Sequence, residues 1–273
     1  MKDLIKNKLA LFGASTILVM IIIALLAPLT ATHDPSAINI EDALTGPCRT
    51  HLFGTDALGR DIYSRMVYAT RVALSIGFIA VGIAALLGLF LGSLAGYYGG
   101  KVDGIIMRFA DIMLCFPAFF LMLSVIAVVG PSIFNIMIVI GLTSWMGMAR
   151  LIRAEILSLK SRDFVSASKA LGASDGYIIL RHLIPNGIAP VLVSFVFGVA
   201  GAILTEAGLS FLGLGVQPPD PSWGNMIMDG KAVMGVGWWV ILFPGLAILI
   251  TVLAFNLLGE GLNDVFNPRL KRQ

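Results

Sequence analysis

Long uncharged apolar runs alternate with short polar stretches along this chain. Leu9 to Leu29, Val72 to Gly100 and Ile112 to Ala149 contain no charged residue. A helix crossing a hydrocarbon core of about 30 Å needs about 20 apolar residues. The first two runs suit one span each. The third is too long for one, and its Gly130-Pro131-Ser132 splits it into helices over about 104–129 and 133–149. Two further apolar runs follow, Leu183 to Thr205 and Ala232 to Gly259. The pattern predicts an all-α membrane protein with six transmembrane helices, which puts both ends on one side.

The polar stretches divide the chain. A basic start (Lys2, Lys6, Lys8) before an apolar run resembles a signal peptide, but the run exceeds the roughly 7–15 residues of a signal core. Residues 1–30 therefore read as an uncleaved transmembrane anchor. Residues 31–71 form an extracytoplasmic segment broken by Pro35, Gly46-Pro47, Gly54 and Gly59. In it, Thr55-Asp56 is expected to cap a short amphipathic helix through Asp61, Tyr63, Met66 and Val67. Residues 72–265 are the core of five spans, and 266–273 a basic tail. Glycines 82, 88, 92 and 96 fall near helical spacing, which smooths one face for close helix packing. Trp238-Trp239 suits the outer interface of the last span.

Composition agrees with the pattern: 58% of the 273 residues are hydrophobic and 13% charged. A soluble domain carries about a quarter charged residues, so lipid must be part of the solvent. Lysine and arginine set the orientation. Fourteen of the 19 (Lys2, Lys6, Lys8, Lys101, Arg108, Arg150, Arg153, Lys160, Arg162, Lys169, Arg181, Arg269, Lys271, Arg272) fall on the side of the termini. Five (Arg49, Arg60, Arg65, Arg71, Lys231) fall on the other. Both termini and the polar segment 161–186 are thus expected in the cytoplasm. Basic residues flank spans instead of forming a stripe, which argues against nucleic-acid binding. Cys48 and Cys115 form no framework. His33, His51 and His182 lie too far apart in sequence to suggest a site, so no metal site is expected.

Little in the chain suits catalysis. Gly99-Gly100-Lys101 has Ala95 and Val102 where a phosphate loop needs Gly and Ser or Thr. The lone Gly-x-Gly in Leu212–Pro219 reads as a turn. Asp111 is expected to pair with Arg108 one turn away, and Glu206 and Glu260 sit near span ends. With no ionisable group at a midplane, a proton- or sodium-coupled carrier lacks support. The energy for any transport must come from another chain.

That directs attention to Ser161–Asn186, SRDFVSASKALGASDGYIILRHLIPN. Asp163 is expected to cap a helix running to Leu171 and stopped by a left-handed Gly172. Phe164, Ala167, Ser168 and Leu171 would share one face, narrow enough to enter a groove on a partner. Ser174-Asp175 starts a second short helix, ended by Pro185. An interfacial helix lying on the membrane is the plainer alternative.

The segment resembles the cytoplasmic motif of integral-membrane permease subunits of bacterial ABC importers: Glu-Ala-Ala, three residues, Gly, nine residues, Ile-x-Leu-Pro. Here the frame is Ser166-Ala167-Ser168, Gly172 and His182-Leu183-Ile184-Pro185. Ala167, Gly172 and Pro185 match, whereas Ser166, Ser168, His182 and Ile184 depart from the pattern. HLFGTDALGRDIYSR, AGYYGGKVD, LTEAGLSFLGLGVQPPDPSWG and LFPGLAILITVLAFNLLGEGL are similar to the dipeptide/oligopeptide/nickel branch, and within it to the C-type permeases (the DppC/OppC/NikC group). The resemblance covers roughly residues 6–271.

It implies a type I ABC importer permease (MetI-like) fold in a bacterial inner membrane. Implied partners are a homologous second permease (DppB/OppB-like), two ATPase subunits (DppD/DppF-like), an extracytoplasmic substrate-binding protein and membrane lipid. The coupling segment would use Phe164, Ser166, Ala167, Ser168, Leu171, Gly172 and Pro185. No cofactor is expected on this chain, with ATP and magnesium on the ATPases, so it is not an enzyme. Di- or oligopeptides are the leading substrate class, a nickel chelate the alternative within the fold, and an ATPase-independent secondary transporter the alternative outside it.

Overall fold

The computed structural model of the chain describes residues 7–266. The readings made for Lys2, Lys6, Arg269, Lys271 and Arg272 lie outside the described residues. The described part is helical, with one isolated bridge between Thr55 and Asp61. In chain order its α-helices are α1 (Lys8–Leu25), α2 (Ala27–Thr30), α3 (Ile62–Tyr98), α4 (Gly100–Cys115), α5 (Ala118–Val129), α6 (Ile133–Leu159), α7 (Asp163–Ala170), α8 (Asp175–Tyr177), α9 (Ile184–Gly187), α10 (Ala189–Phe211), α11 (Trp223–Lys231) and α12 (Trp239–Phe266).

Five of these, α1, α3, α6, α10 and α12, are long and apolar enough to cross a membrane. The sixth candidate is the pair α4 and α5, which meet at 87°. The straight helix expected over 104–129 is therefore broken. Pro117 lacks a donor and forces Phe116 into extended backbone (φ −88°, ψ 135°), which ends α4. The break expected at Gly130-Pro131-Ser132 is present. Gly130 adopts φ +90° and the Ser132 side chain accepts from the Asn135 N–H to start α6.

Helix α3 departs most from expectation. It begins at Ile62, ten residues before the apolar run, and has 37 residues. At 1.5 Å per residue that is about 56 Å, well beyond the bilayer core. No separate amphipathic helix precedes it, because Asp61, not Thr55-Asp56, is the cap, its carboxylate accepting from Ser64 N–H at 2.8 Å. Asp56 instead closes a turn by accepting from the N–H groups of Leu58 and Arg60. The charges at this end are paired inside the protein. Arg60 donates to Asp56 (2.7 Å) and to Asp229 of α11 (2.8 Å), and Arg65 lies 3.7 and 3.6 Å from the same carboxylates. Buried charges are tolerated when opposite charges lie this near.

Helix α6 likewise runs on past Ala149 to Leu159. Arg150 and Arg153 lie within it and pair with Asp111 and Asp103 of α4. Asp111 thus bonds a neighbouring helix, not Arg108. The fifth span starts later than the apolar run, at Ala189, for a reason that lies in the segment before it.

The most extensive packing is between α3 and α6. Gly88, Gly92 and Gly96 make it possible. A Cβ at Gly92 would lie 2.2 Å from the Ile152 side chain and 2.4 Å from the Ala149 carbonyl, and one at Gly88 2.7 Å from Met148. Gly82 faces open space and takes no part. Gly13 of α1 lies equally close to α12, where a Cβ would stand 2.5 Å from the Ala254 carbonyl. Backbones in contact maximise dispersion between helices that lipid does not push together.

Gly92→Leu is therefore expected to lower the thermal unfolding midpoint in detergent, at a cost of about 1–3 kcal/mol or more. Gly82→Leu should leave it nearly unchanged. Equal midpoints for the two variants would show that the glycine seam is not what holds α3 to α6.

Candidate functional site

The polar segment between α6 and α10 folds as two short helices seated on the spans. Helix α7 starts after Arg162, whose backbone is extended but whose side chain makes no cap. Asp163 is the first helical residue, where its charge favours the positive end of the helix. It is not the cap itself. The helix ends at Ala170 through Leu171 into Gly172 at φ +80°. Gly172 N–H bonds the Lys169 carbonyl (2.9 Å) and Ala173 N–H bonds the Ser168 carbonyl (3.1 Å), the paired bonds of a Schellman ending. A non-glycine residue would be strained at that φ.

Val165 seats the helix: it is fully buried, although the sequence pattern did not single it out. Ser168 turns the same way, its Oγ 3.2 Å from His182 Nε2. Around that imidazole stand the Phe164 and Tyr177 rings, at centroid distances of 6.2 and 5.5 Å. Ser168 thus lies half-buried on the inner flank of the expected face, next to the imidazole that Phe164 also approaches. Phe164 and Leu171 are exposed, by 39% and 89%, as are Ser166, Ala167 and Gly172. Among them Leu171 is an apolar side chain almost wholly free of its own chain.

The second helix starts as expected. Ser174 caps α8 by accepting from Tyr177 N–H. It does not stop at Pro185. A π-helical stretch, Ile178–Leu183, carries the backbone into α9, with Ile184 N–H bonding the Ile179 carbonyl. A wider turn accommodates a residue with no donor, and Asn186 Nδ2 takes up the His182 carbonyl at 2.6 Å. Pro185 is exposed at the start of α9, and α10 begins only at Ala189. Ile178 and Leu183 are fully buried beneath this stretch.

Three contacts tie the segment to the spans. Tyr97 Oη, at the end of α3, donates to Asp175. Lys169 Nζ lies 5.1 Å from the centre of the Tyr97 ring. Lys160 Nζ donates to the Gly96 carbonyl at 3.1 Å. The segment is thus tied to the end of α3 as well as joined to α6 and α10 along the chain.

The other end of α3 is different. Arg65 is 32 residues before Tyr97, so the Arg60/Arg65/Asp56/Asp229 cluster lies roughly 48 Å from the segment along the helix. There the chain between α10 and α12 carries its own short helix, α11. Ser222 and Asn225 form a reciprocal capping box for α11, and Ser210 Oγ donates to the buried Glu206. His33 and His51, distant in sequence, meet at this end: their rings stack at 4.8 Å beside Asp61. Sequence separation was no guide to that pair. Between the two ends, small residues including Ala84, Ser144, Gly147, Ser194, Gly198 and Gly201 line an open groove of about 450 Å³ formed by α3, α5, α6 and α10.

Residues 88–272 match the family described as binding-protein-dependent transport system inner membrane component, and residues 1–47 match the N-terminal TM domain of oligopeptide transport permease C. The dipeptide transport system permease protein DppC of Alkalihalophilus pseudofirmus is 43% identical over 99% of this chain and 89% of its own. The oligopeptide transport system permease protein OppC of Bacillus subtilis is 39% identical over 97% and 87%, and the glutathione transport system permease protein GsiD of Pectobacterium atrosepticum 39% over 98% and 89%. Among solved structures, the inward-facing MetNI methionine ABC transporter aligns over 72% of this chain and 93% of its own, with TM-score 0.58 and 16% identity. An amino acid ABC transporter with histidines aligns over 76% and 94%, with TM-score 0.55. The fold is therefore that of an ABC importer permease.

Replacing Val165 by Asp puts a charge where a fully buried side chain seats α7. Trypsin is expected to cut at Lys169 and Arg181 faster in that variant, at unchanged membrane insertion. Cleavage at the wild-type rate would mean that Val165 does not hold the segment.

Proposed function

The chain belongs to the family of binding-protein-dependent transport system inner membrane components, and on that premise we propose that it is a permease subunit of an ATP-driven importer of di- and oligopeptides. It is a permease component, not a catalytic subunit. In this reading ATP and magnesium sit on two separate ATPase subunits, and a second, homologous permease completes the pathway. A substrate-binding protein delivers peptide at the outer face. The membrane is the bacterial inner membrane, with both termini cytoplasmic, as the bias of lysine and arginine indicates.

The observation that carries the proposal is the exposed α7, seated on the body by Val165. Phe164, Ala167 and Leu171 present an apolar edge with Ser166 beside it, bounded by Gly172, while Val165 and Ser168 face the body. Such an edge suits a groove on an ATPase. Ser168 contributes by holding His182, and Pro185 by setting the π-helical return into α10. Closure of the ATPases on ATP would then move α7 together with the end of α3. That motion biases the permease between inward- and outward-facing states, and ATP can do so only by favouring one state over the other. The groove of small residues is the surface this subunit offers to the pathway, a mixed wall suited to passing peptides without holding them. The dipeptide and oligopeptide names of relatives near 40% identity over almost the whole chain support the substrate class.

Gly172→Leu tests the coupling in vesicles containing the assembled complex and its binding protein. A side chain at φ +80° costs about 1–2 kcal/mol locally and reshapes the end of α7 without meeting neighbouring atoms. ATP hydrolysis is expected to continue while uptake of radiolabelled dipeptide falls roughly tenfold, within the range that a lost coupling free energy produces. Undiminished uptake would refute the coupling role. Uptake of nickel chelate without dipeptide by the wild type would refute the peptide reading.

A further inference from the structure

His33, His51 and Asp61 converge at the start of α3 although 18 and 10 residues separate them in sequence. Their three donor atoms all lie within 4.8 Å of one another. His51 Nδ1 is 2.9 Å and His33 Nδ1 3.8 Å from the same oxygen, Asp61 Oδ1. Around a tetrahedral cation with bonds near 2.0–2.1 Å, neighbouring donors stand about 3.3 Å apart. The observed separations bracket that value, so small side-chain rotations would close the site.

The surroundings are those of a built site. Asp61 Oδ2 is occupied by Ser64 N–H (2.8 Å), Ser64 Oγ (2.7 Å) and Thr32 Oγ1 (3.4 Å), which leaves Oδ1 turned to the imidazoles. His33 is held through its backbone N–H, which donates to Ser64 Oγ at 3.0 Å, while the 3.0 Å contact of its Nδ1 with Thr32 Oγ1 is one that a bound cation would replace. Behind His51, Asp42 Oδ2 lies 3.9 Å from Nε2 and is itself steadied by Asn39 Nδ2 at 2.6 Å. At that distance a small side-chain movement would give Nε2–H the outer-shell carboxylate that orients metal-bound histidines. Asp61 and His51 are buried, while His33 is exposed and leaves a side open for water as a further ligand.

We propose that His33, His51 and Asp61 form a binding site for a divalent transition cation of the zinc, cobalt and nickel class. Two imidazole nitrogens select such borderline cations over magnesium or calcium, which prefer all-oxygen sites. The site joins the link after α1 and α2 to the first turn of α3, so a bound cation staples two spans at one end of the molecule. It stands independently of the peptide-import reading.

The test uses the full chain in detergent, purified through a tag without histidine, stripped with chelator and loaded with zinc alone. Wild type is expected to retain one zinc per chain and to show a higher thermal midpoint with zinc than without it. His33→Ala removes an exposed ligand, and Asp61→Asn removes the anionic one while keeping a helix-capping acceptor. Each is expected to weaken zinc binding by about tenfold or more and to abolish the zinc-dependent rise in midpoint. If Asp61→Asn fails to fold, His33→Ala carries the result alone. No zinc on the wild type, or equal zinc on wild type and His33→Ala, overturns the proposal.

Discussion

The contact of backbone on backbone between α3 and α6 is the constraint on which the rest of this protein depends. In lipid there is no hydrophobic drive to bring apolar helices together, so packing quality decides association. Gly88, Gly92 and Gly96 remove the side chains that would hold the helices apart, and Ala149, Ile152 and Ile156 fill the space. Because α3 extends beyond the bilayer at one end and reaches the polar segment at the other, this seam ties the two ends of the molecule together. The Tyr97–Asp175 hydrogen bond and the Lys160–Gly96 contact sit at the end of the same seam.

Among the described residues, two polar clusters stand at the two ends of α3. At one, Arg60 and Arg65 are buried among Asp56 and Asp229, and α11 is locked against α3 as a result. Arg65 is held by ion-pair distances longer than hydrogen bonds, and its Nε and Nη1 make none. Buried charge of this kind is costly unless its partners stay in place, which makes the cluster a demanding fastener. Asp61, just before α3, shows the same economy. Its burial would raise the carboxyl's pKa, yet hydrogen bonds from Ser64 and His51 hold it below the usual carboxylate range. At the other end the contacts are lighter and one apolar edge of α7 is left uncovered.

Features governed by neighbouring residues could be read directly. Gly130-Pro131-Ser132 breaks a helix by local backbone chemistry, Gly172 takes the left-handed conformation that ends α7, and Ser174 caps the next turn. Pro117 carried an equally local signal, since the residue before a proline avoids helix, but the surrounding run of apolar residues masked it. The exposed edge of α7 was legible from spacing as far as Phe164, Ala167 and Leu171. The partial burial of Ser168 was not legible, because it answers His182, 14 residues on. Val165 was missed because a lone buried valine in a short helix has no periodic signature.

The sequence by itself determined that the chain lives in lipid, how many apolar segments it has and where a polar segment interrupts them. Each of these follows from transfer energies and backbone preferences that act over a few residues. Only the tertiary structure decided that the first turn of α3 could bury Arg65, because folding brings Asp56 and the distant Asp229 to within 3.7 and 3.6 Å of it. It also decided that His33, His51 and Asp61 share one site, and that Ser168 faces inward. Those outcomes depend on distances closed by folding, and no spacing along the chain encodes them.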